Sequence, residues 1–169
     1  FADYGFIGGA EVDMYGNLNS TMIGQFPESY RKPKVRLPGS GGASDMAASC
    51  ERTILIVPHD KKKFSQKLAY VTSPGFLDGS PEARFRAGMQ GKGPYRVITT
   101  RGLFDFEEKS HRMRLLQTFP GETVESIQDN TGFELLVSDR LSEFPAPTEE
   151  EIRLIREEID PTGVFVKSA

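Results

Sequence analysis

The stretch Gly39-Ser40-Gly41-Gly42-Ala43-Ser44-Asp45 limits the possible folds of this chain more than any other. It follows the extended run Lys34-Val35-Arg36-Leu37-Pro38 and leads into Met46-Ala47-Ala48-Ser49-Cys50. Pro38 resists helix, and the glycines at 39, 41 and 42 allow φ > 0 turns and the close approach of another molecule. Ala43, Met46, Ala47 and Ala48 favour helix, so the spacing predicts a loop that delivers the chain to a helix N-terminus. Free N–H groups and the positive end of the helix dipole meet there. That geometry suits an anion, and the residues alone leave open a phosphate, a carboxylate or the oxyanion of a thioester under attack. The plainer reading is a strand-to-helix turn that binds nothing.

Two nucleotide motifs are excluded. The third glycine of a dinucleotide fingerprint falls on Ser44, and Pro38 sits where its first strand should end. A P-loop needs a Lys-Ser/Thr pair after its glycines, and Gly88-Met89-Gln90-Gly91-Lys92-Gly93 has neither the hydroxyl nor the spacing.

Composition narrows the partners. With 169 residues, the chain is expected to form one domain over 1–169 with a real core. A net charge of −3 argues against a nucleic-acid binder, which normally shows a basic footprint. One cysteine and two histidines exclude a disulfide framework and are too few for a typical zinc site. No metal and no tightly bound cofactor are expected, and a reducing, cytoplasmic setting is the default. The sequence contains neither an apolar run of membrane-spanning length nor a basic-then-apolar leader, so no membrane association is expected. Phe1 to Ala10 already reads as structured chain, from which the 169 residues are expected to be the C-terminal portion of a longer polypeptide.

In chain order, Tyr4 to Val12 is predicted as a buried strand and Asn19 to Ile23 as its return, with turn chemistry at Asp13-Met14-Tyr15-Gly16-Asn17 between them. Arg52 to Val57 has the β-branched content and length of a central strand covered on both faces. His59-Asp60-Lys61-Lys62-Lys63-Phe64 follows, a solvated lysine turn that also suits a phosphate-bearing ligand. Ser73 to Pro94, dense in Gly and Pro, is expected as a long loop on the rim. A meander is predicted over Tyr95–Thr99, Leu103–Phe106 and Met113–Gln117, with His111 a plain surface residue beside its second turn. Thr123 caps a helix over 124–130 that Gly132 ends in a left-handed conformation, and Phe133 to Val137 makes a last strand. Thr148 and Glu151 form a capping box for a packing helix with Ile152, Ile155 and Ile159 on one stripe. Strands alternating with short helices, plus a meander, give an α/β fold with an open mixed sheet and flanking helices.

Phe6-Ile7-Gly8-Gly9-Ala10-Glu11-Val12-Asp13-Met14-Tyr15-Gly16-Asn17-Leu18-Asn19-Ser20 together with Gly39-Ser40-Gly41-Gly42-Ala43 resembles family I CoA-transferases, specifically their glutaconate-type β subunits. The resemblance continues through His59–Phe64, Tyr70–Gly75, Asn130–Phe133 and Leu154–Pro161. It implies the open α/β fold of CoA-transferases (NagB/RpiA-like), incomplete at the N-terminus, and a pairing with an α subunit near an active site at the junction. In such enzymes a glutamate attacks an acyl-CoA thioester and is converted to a glutamyl-CoA thioester, from which a second, often dicarboxylic, acid collects the CoA. The acyl-CoA and the acid are substrates. Carried over, Gly39, Gly41, Gly42 and Ala43 form the oxyanion and CoA-binding loop, and Lys61, Lys62 and Lys63 become a CoA phosphate contact.

The resemblance places the glutamate nucleophile upstream of the glycine strand, so no catalytic residue is expected in this chain, and Glu11 and Glu51 are read as structural or surface carboxylates. Two alternatives stand beside transfer: a hydrolase or decarboxylase of CoA thioesters on the same fold, and a non-catalytic partner-binding domain.

Overall fold

A computed structural model describes residues 2–166, so Phe1, the first residue of the stretch read as structured chain, lies outside the described residues. The chain runs through β1 (Tyr4–Ile7), β2 (Glu11–Val12), β3 (Leu18–Asn19), β4 (Met22–Ile23), β5 (Val35–Arg36), α1 (Ala43–Ser49) and β6 (Arg52–Ile56). After a long connection come α2 (Ala83–Arg86), β7 (Pro94–Ile98), β8 (Gly102–Phe106) and β9 (Met113–Thr118). The chain continues with α3 (Val124–Asp129), β10 (Leu136–Glu143) and α4 (Glu149–Arg153), which passes into a π-helical turn over Leu154–Ile159.

Six strands form the main sheet in the order β1-β6-β7-β8-β9-β10, with β1, β6 and β7 parallel, β7-β8-β9 an antiparallel meander, and β10 parallel to β9. The open mixed α/β sheet is therefore as the sequence predicts, but β6, expected as a central strand, is the second strand from the β1 edge. One row of paired residues crosses the sheet from Ile7 to Leu55, Val97, Phe104 and Leu115, and every member is buried. Ala47 of α1, Ile127 of α3, and Val12 and Leu18 of the β2–β3 hairpin join this row in a single core. Phe64 lies within it, with Phe104 and Phe133 at centroid distances of 6.1 and 6.3 Å.

The other face differs from expectation. Phe6 pairs with Ile54, and Ile56 with Ile98, on the side away from the core, where Phe6 is 59% and Ile56 52% exposed. β6 is thus covered on one face only by the described residues, although its sequence has the apolar run of a strand covered on both.

Several boundaries differ for local reasons. The expected first strand divides after Ile7, because Gly8 and Gly9 let the chain leave the sheet and β2 pair with β3 instead. Gly132 is needed for space and not for a left-handed turn: a Cβ there meets the Phe64 carbonyl at 2.4 Å. The capping boxes at Thr123–Ser126 and Thr148–Glu151 are both formed. The isoleucine stripe of α4 and its continuation stays open, with Ile159 72% exposed.

The Ser73–Pro94 segment is not rim. Arg84 is buried, and its guanidinium donates to the carbonyls of Gly91 (3.1 Å), Gly75 (2.8 Å) and Ala47 (2.8 Å). Gln90 and Gly91 N–H donate to the Ala48 carbonyl. Two carbonyls near the C-terminus of α1 thereby gain donors from this segment, one of them cationic, which suits the negative end of the helix dipole. Among the described residues no helix is long and apolar enough to cross a membrane.

Candidate functional site

The parallel strands β1 and β6 end on the same side of the sheet, and the glycine loop and the lysine turn are both anchored there. The Ser20 carbonyl accepts from Gly39 N–H (2.8 Å) and the Thr21 carbonyl from Leu37 N–H (3.0 Å), so the chain entering the loop hangs from the end of β3. Ser44 Oγ donates to the Thr72 carbonyl (2.8 Å), which fixes the first turn of α1. Between these anchors Gly39 and Gly41 have φ of +93° and +51°, a region that disfavours any residue with a Cβ.

Gly42 is different. Its φ is −83°, it forms the N-cap of α1, and a Cβ placed on it meets nothing within 4 Å. Neither the backbone conformation nor the packing of the described residues requires glycine at this position. Gly41 and Gly42 are exposed, and their N–H groups meet no acceptor among the described residues, whereas Ala43 N–H already donates to the Ser40 carbonyl (2.9 Å). Of the sequence-predicted loop residues, Gly39 and Ala43 use their donors internally, and Gly41 and Gly42 keep theirs free. The seven-residue α1 carries Asp45 in its first turn, which already complements the dipole, and the donors left over at this end belong to the loop.

Buried amides that the motif reading passed over hold this end of the molecule together. Asn19 Nδ2 donates to Glu11 Oε2 (2.6 Å) and the Met22 carbonyl (2.7 Å), while its Oδ1 accepts from Thr21 N–H (3.0 Å). Asn17 Oδ1 accepts from Gly75 and Leu77 N–H, and its Nδ2 donates to Asp13 Oδ2. Burial pushes the Asp13 carboxyl up from its ordinary value, against the lowering effect of the Asn17 and Tyr15 donors. The sequence does carry a signal for them: Asn17-Leu18-Asn19 brackets a fully buried leucine, and amides in such a place need partners.

The sequence-predicted carboxylates are occupied. Glu11 Oε2 also accepts from Ala69 N–H (3.2 Å), and Glu51 is ion-paired with Lys92. In the lysine turn Asp60 Oδ1 accepts from Lys62 and Lys63 N–H, and Lys63 Nζ lies 3.7 Å from Asp60 Oδ2. Lys61 and Lys62 are exposed and without an ion pair among the described residues. His111 is not plain surface: its ring stacks on Phe76 at 4.3 Å and bonds the Gly79 carbonyl.

His59 is 4% exposed, stacked on Phe64 at 3.9 Å, with ring nitrogens near the hydroxyls of Thr99 (3.3 Å) and Thr131 (3.0 Å). Desolvation, helped by the Arg101 charge, lowers its pKa to about 4 from an ordinary 6.5. Between these values the unfolded chain binds a proton that the folded chain does not, so stability is full above pH 6.5 and falls as pH drops toward 4. About 2 kcal/mol is expected to be lost between pH 7 and pH 5. Thermal unfolding of the native assembly at the two values should show a pH-dependent loss that His59→Gln reduces. An undiminished loss in that variant sinks the assignment.

The family model for coenzyme A transferase matches residues 1–130. The chain is 47% identical over 163 residues to the B-type subunit of glutaconate CoA-transferase from Acidaminococcus fermentans, covering 96% of this chain and 59% of that protein. The crystal structure of that glutaconate enzyme superposes with a TM-score of 0.90 at 44% identity, over 98% of this chain and 62% of the matched one. The B-type subunit of 3-oxoadipate CoA-transferase from Pseudomonas knackmussii is 39% identical over 91% of this chain and 57% of its own length. The cholesterol ring-cleaving hydrolase IpdB subunit of Rhodococcus jostii is 28% identical over 94% of this chain and 60% of its own. The chain thus spans about three fifths of the length of these relatives.

Proposed function

This chain belongs to the coenzyme A transferase family, and we propose that it forms part of a β-type subunit of an enzyme that moves CoA from an acyl-CoA to a carboxylic acid through a glutamyl-CoA thioester. The observation that carries this reading is the open space and free donors at Gly41 and Gly42, in a family whose substrates are CoA thioesters. A glutamate from outside these residues attacks the thioester carbonyl, and the carbonyl oxygen takes up negative charge as the tetrahedral intermediate forms. Gly41 and Gly42 N–H face that oxygen and stabilise it more than the neutral carbonyl. The thiolate of CoA leaves, attacks the resulting anhydride at the glutamyl carbonyl, and releases the first acid. The second acid reverses the sequence. Lys61 and Lys62 lie at the same end of the sheet as candidates for a CoA phosphate.

The test is exchange of CoA between two acids by the native assembly. Hydroxylamine should inactivate the enzyme only after incubation with acyl-CoA and without an acceptor acid, because it cleaves a glutamyl thioester. A second reading, hydrolysis of a CoA-linked substrate, rests on the likeness to the ring-cleaving hydrolase subunit. Loss of acyl-CoA that needs no acceptor acid and leaves the enzyme insensitive to hydroxylamine favours it.

The uncovered sheet face, with Phe6, Ile54, Ile56 and Ile98, is the surface that packs against the rest of this assembly, including an α subunit. The isolated 169-residue chain is therefore expected to bind a hydrophobic dye and to self-associate. It should also lack CoA exchange. A monodisperse monomer that binds no dye overturns the first expectation, and measurable exchange overturns the second.

A further inference from the structure

Thr72 touches both anchors of the glycine loop. Its hydroxyl accepts from Ser20 N–H (2.9 Å) and lies 2.7 Å from the Thr21 hydroxyl, with Asn19 Oδ1 at 3.5 Å. Ser20 and Thr21 are the residues whose carbonyls accept from Gly39 and Leu37 N–H, so the Thr72 side chain fixes the short segment from which the loop's entry hangs. The carbonyl of the same residue accepts from Ser44 Oγ (2.8 Å) at the loop's exit. One residue thereby holds both ends of the span in which Gly41 and Gly42 N–H are free. The backbone at this place is held without the hydroxyl: Thr72 and Ser73 N–H both donate to the Leu18 carbonyl (2.8 and 3.1 Å), and the Ser73 carbonyl accepts from Leu18 N–H (2.9 Å).

We propose that Thr72 is a positioning residue for thioester chemistry at the glycine loop, its hydroxyl and its carbonyl clamping the two ends so that Gly41 and Gly42 N–H keep one direction. The inference rests on the reading of the chain as part of a CoA-thioester enzyme and adds what holds the donors in place. Gly41 and Gly42 have little of their own to hold them: both are exposed, and the site of a Cβ on either is open to 4 Å. A glycine-rich span is the most freely moving kind of backbone, so its geometry is set by its fixed ends. Donors stabilise a developing oxyanion only if they point at it before the charge appears, and a displacement of about 1 Å costs about 100-fold in rate. The plainer role for the hydroxyl is to satisfy Ser20 N–H, which predicts a loss of stability and an unchanged kcat in the folded enzyme.

Variants of the native assembly test this: Thr72→Val keeps the shape and removes the hydroxyl, Thr72→Ser keeps the hydroxyl, and Ser44→Ala releases the loop's exit. Thr72→Val should lower kcat by about 10- to 100-fold with KM for acyl-CoA within about 2-fold of wild type. Thr72→Ser should recover kcat to within about 3-fold of wild type, and Ser44→Ala should fall between the two. Amide hydrogen exchange over residues 37–46 should be about 10-fold faster in Thr72→Val, with the β7–β9 meander unchanged. Wild-type kcat in a folded Thr72→Val enzyme overturns the proposal, as does unchanged exchange over the loop or a loss that Thr72→Ser shares in full. If Thr72→Val does not fold, Ser44→Ala carries both readouts, and wild-type values there overturn the proposal. Wild type that exchanges CoA beside unaffected variants defeats this proposal alone. Wild type without CoA exchange, beside a loop loosened in Thr72→Val, defeats the transferase reading and leaves the clamp standing.

Discussion

Gly42→Val in the native assembly is expected to lower kcat by about 100- to 1,000-fold while the protein stays folded. The substitution is diagnostic because Gly42 needs no glycine for its own sake: φ is −83° and an added Cβ meets nothing within 4 Å. Valine is a poor N-cap, but Gly42 makes no side-chain cap to lose, so the cost in stability is about 1 kcal/mol. On the proposed role of the loop, a thioester carbonyl brought to the Gly41 and Gly42 N–H groups would enter the space that valine fills. The loss falls mainly on kcat because the oxyanion exists only at and next to the transition state. Lys62→Ala, which removes a ground-state contact at most, should raise KM for acyl-CoA and spare kcat. Steady-state kinetics on the two variants separate these outcomes. A folded Gly42→Val enzyme with wild-type kcat reduces the loop to a plain turn.

Arg84→Met is expected to destabilise the protein by about 3 to 5 kcal/mol. Methionine retains much of the apolar stem but leaves the carbonyls of Ala47, Gly75 and Gly91 without their donor in a buried place. Each loses a charge-assisted bond, and α1 loses the cation near its C-terminus. The thermal midpoint should fall by about 10 °C, and proteolysis of the native assembly should concentrate within 73–93. Arg84→Lys should recover only part, since one ammonium cannot reach three diverging carbonyls as the planar guanidinium does. A loss below about 1 kcal/mol in Arg84→Met means that water replaces the guanidinium and that the segment is the loose rim its composition suggests.

Local signals read well from sequence where one residue decides the outcome. Thr148 and Glu151 cap a helix because their side chains and backbone satisfy each other, and no tertiary partner is needed. The same holds for the entry to α1 after Pro38 and for the meander, whose strands pair with their neighbours. The long loop misleads because its anchor is one buried arginine, and nothing in Ala83-Arg84-Phe85 indicates that its carbonyl partners lie at 47, 75 and 91. Gly132 is legible as a necessary glycine but not in its reason, since close approach to Phe64 and not a left-handed φ requires it. In the candidate site the glycines are legible. Which of their N–H groups remain free depends on Ser20 and Ser40, and only the fold shows that.

The pairing of β1 with β6 has a consequence for how quickly the molecule assembles. Tyr4 must find Arg52, and Ile54 must find Arg96, whereas Val97 needs only to reach Phe104 across a short turn. Closing the long loops costs entropy before any ladder forms, so the meander should be in place first and the parallel centre should follow slowly. The glycine loop lies in the chain between β1 and β6 and takes its position only when both are docked. After refolding of the native assembly from denaturant, the CoA exchange proposed for it should therefore return with the slowest phase, well after most of the far-ultraviolet signal has recovered.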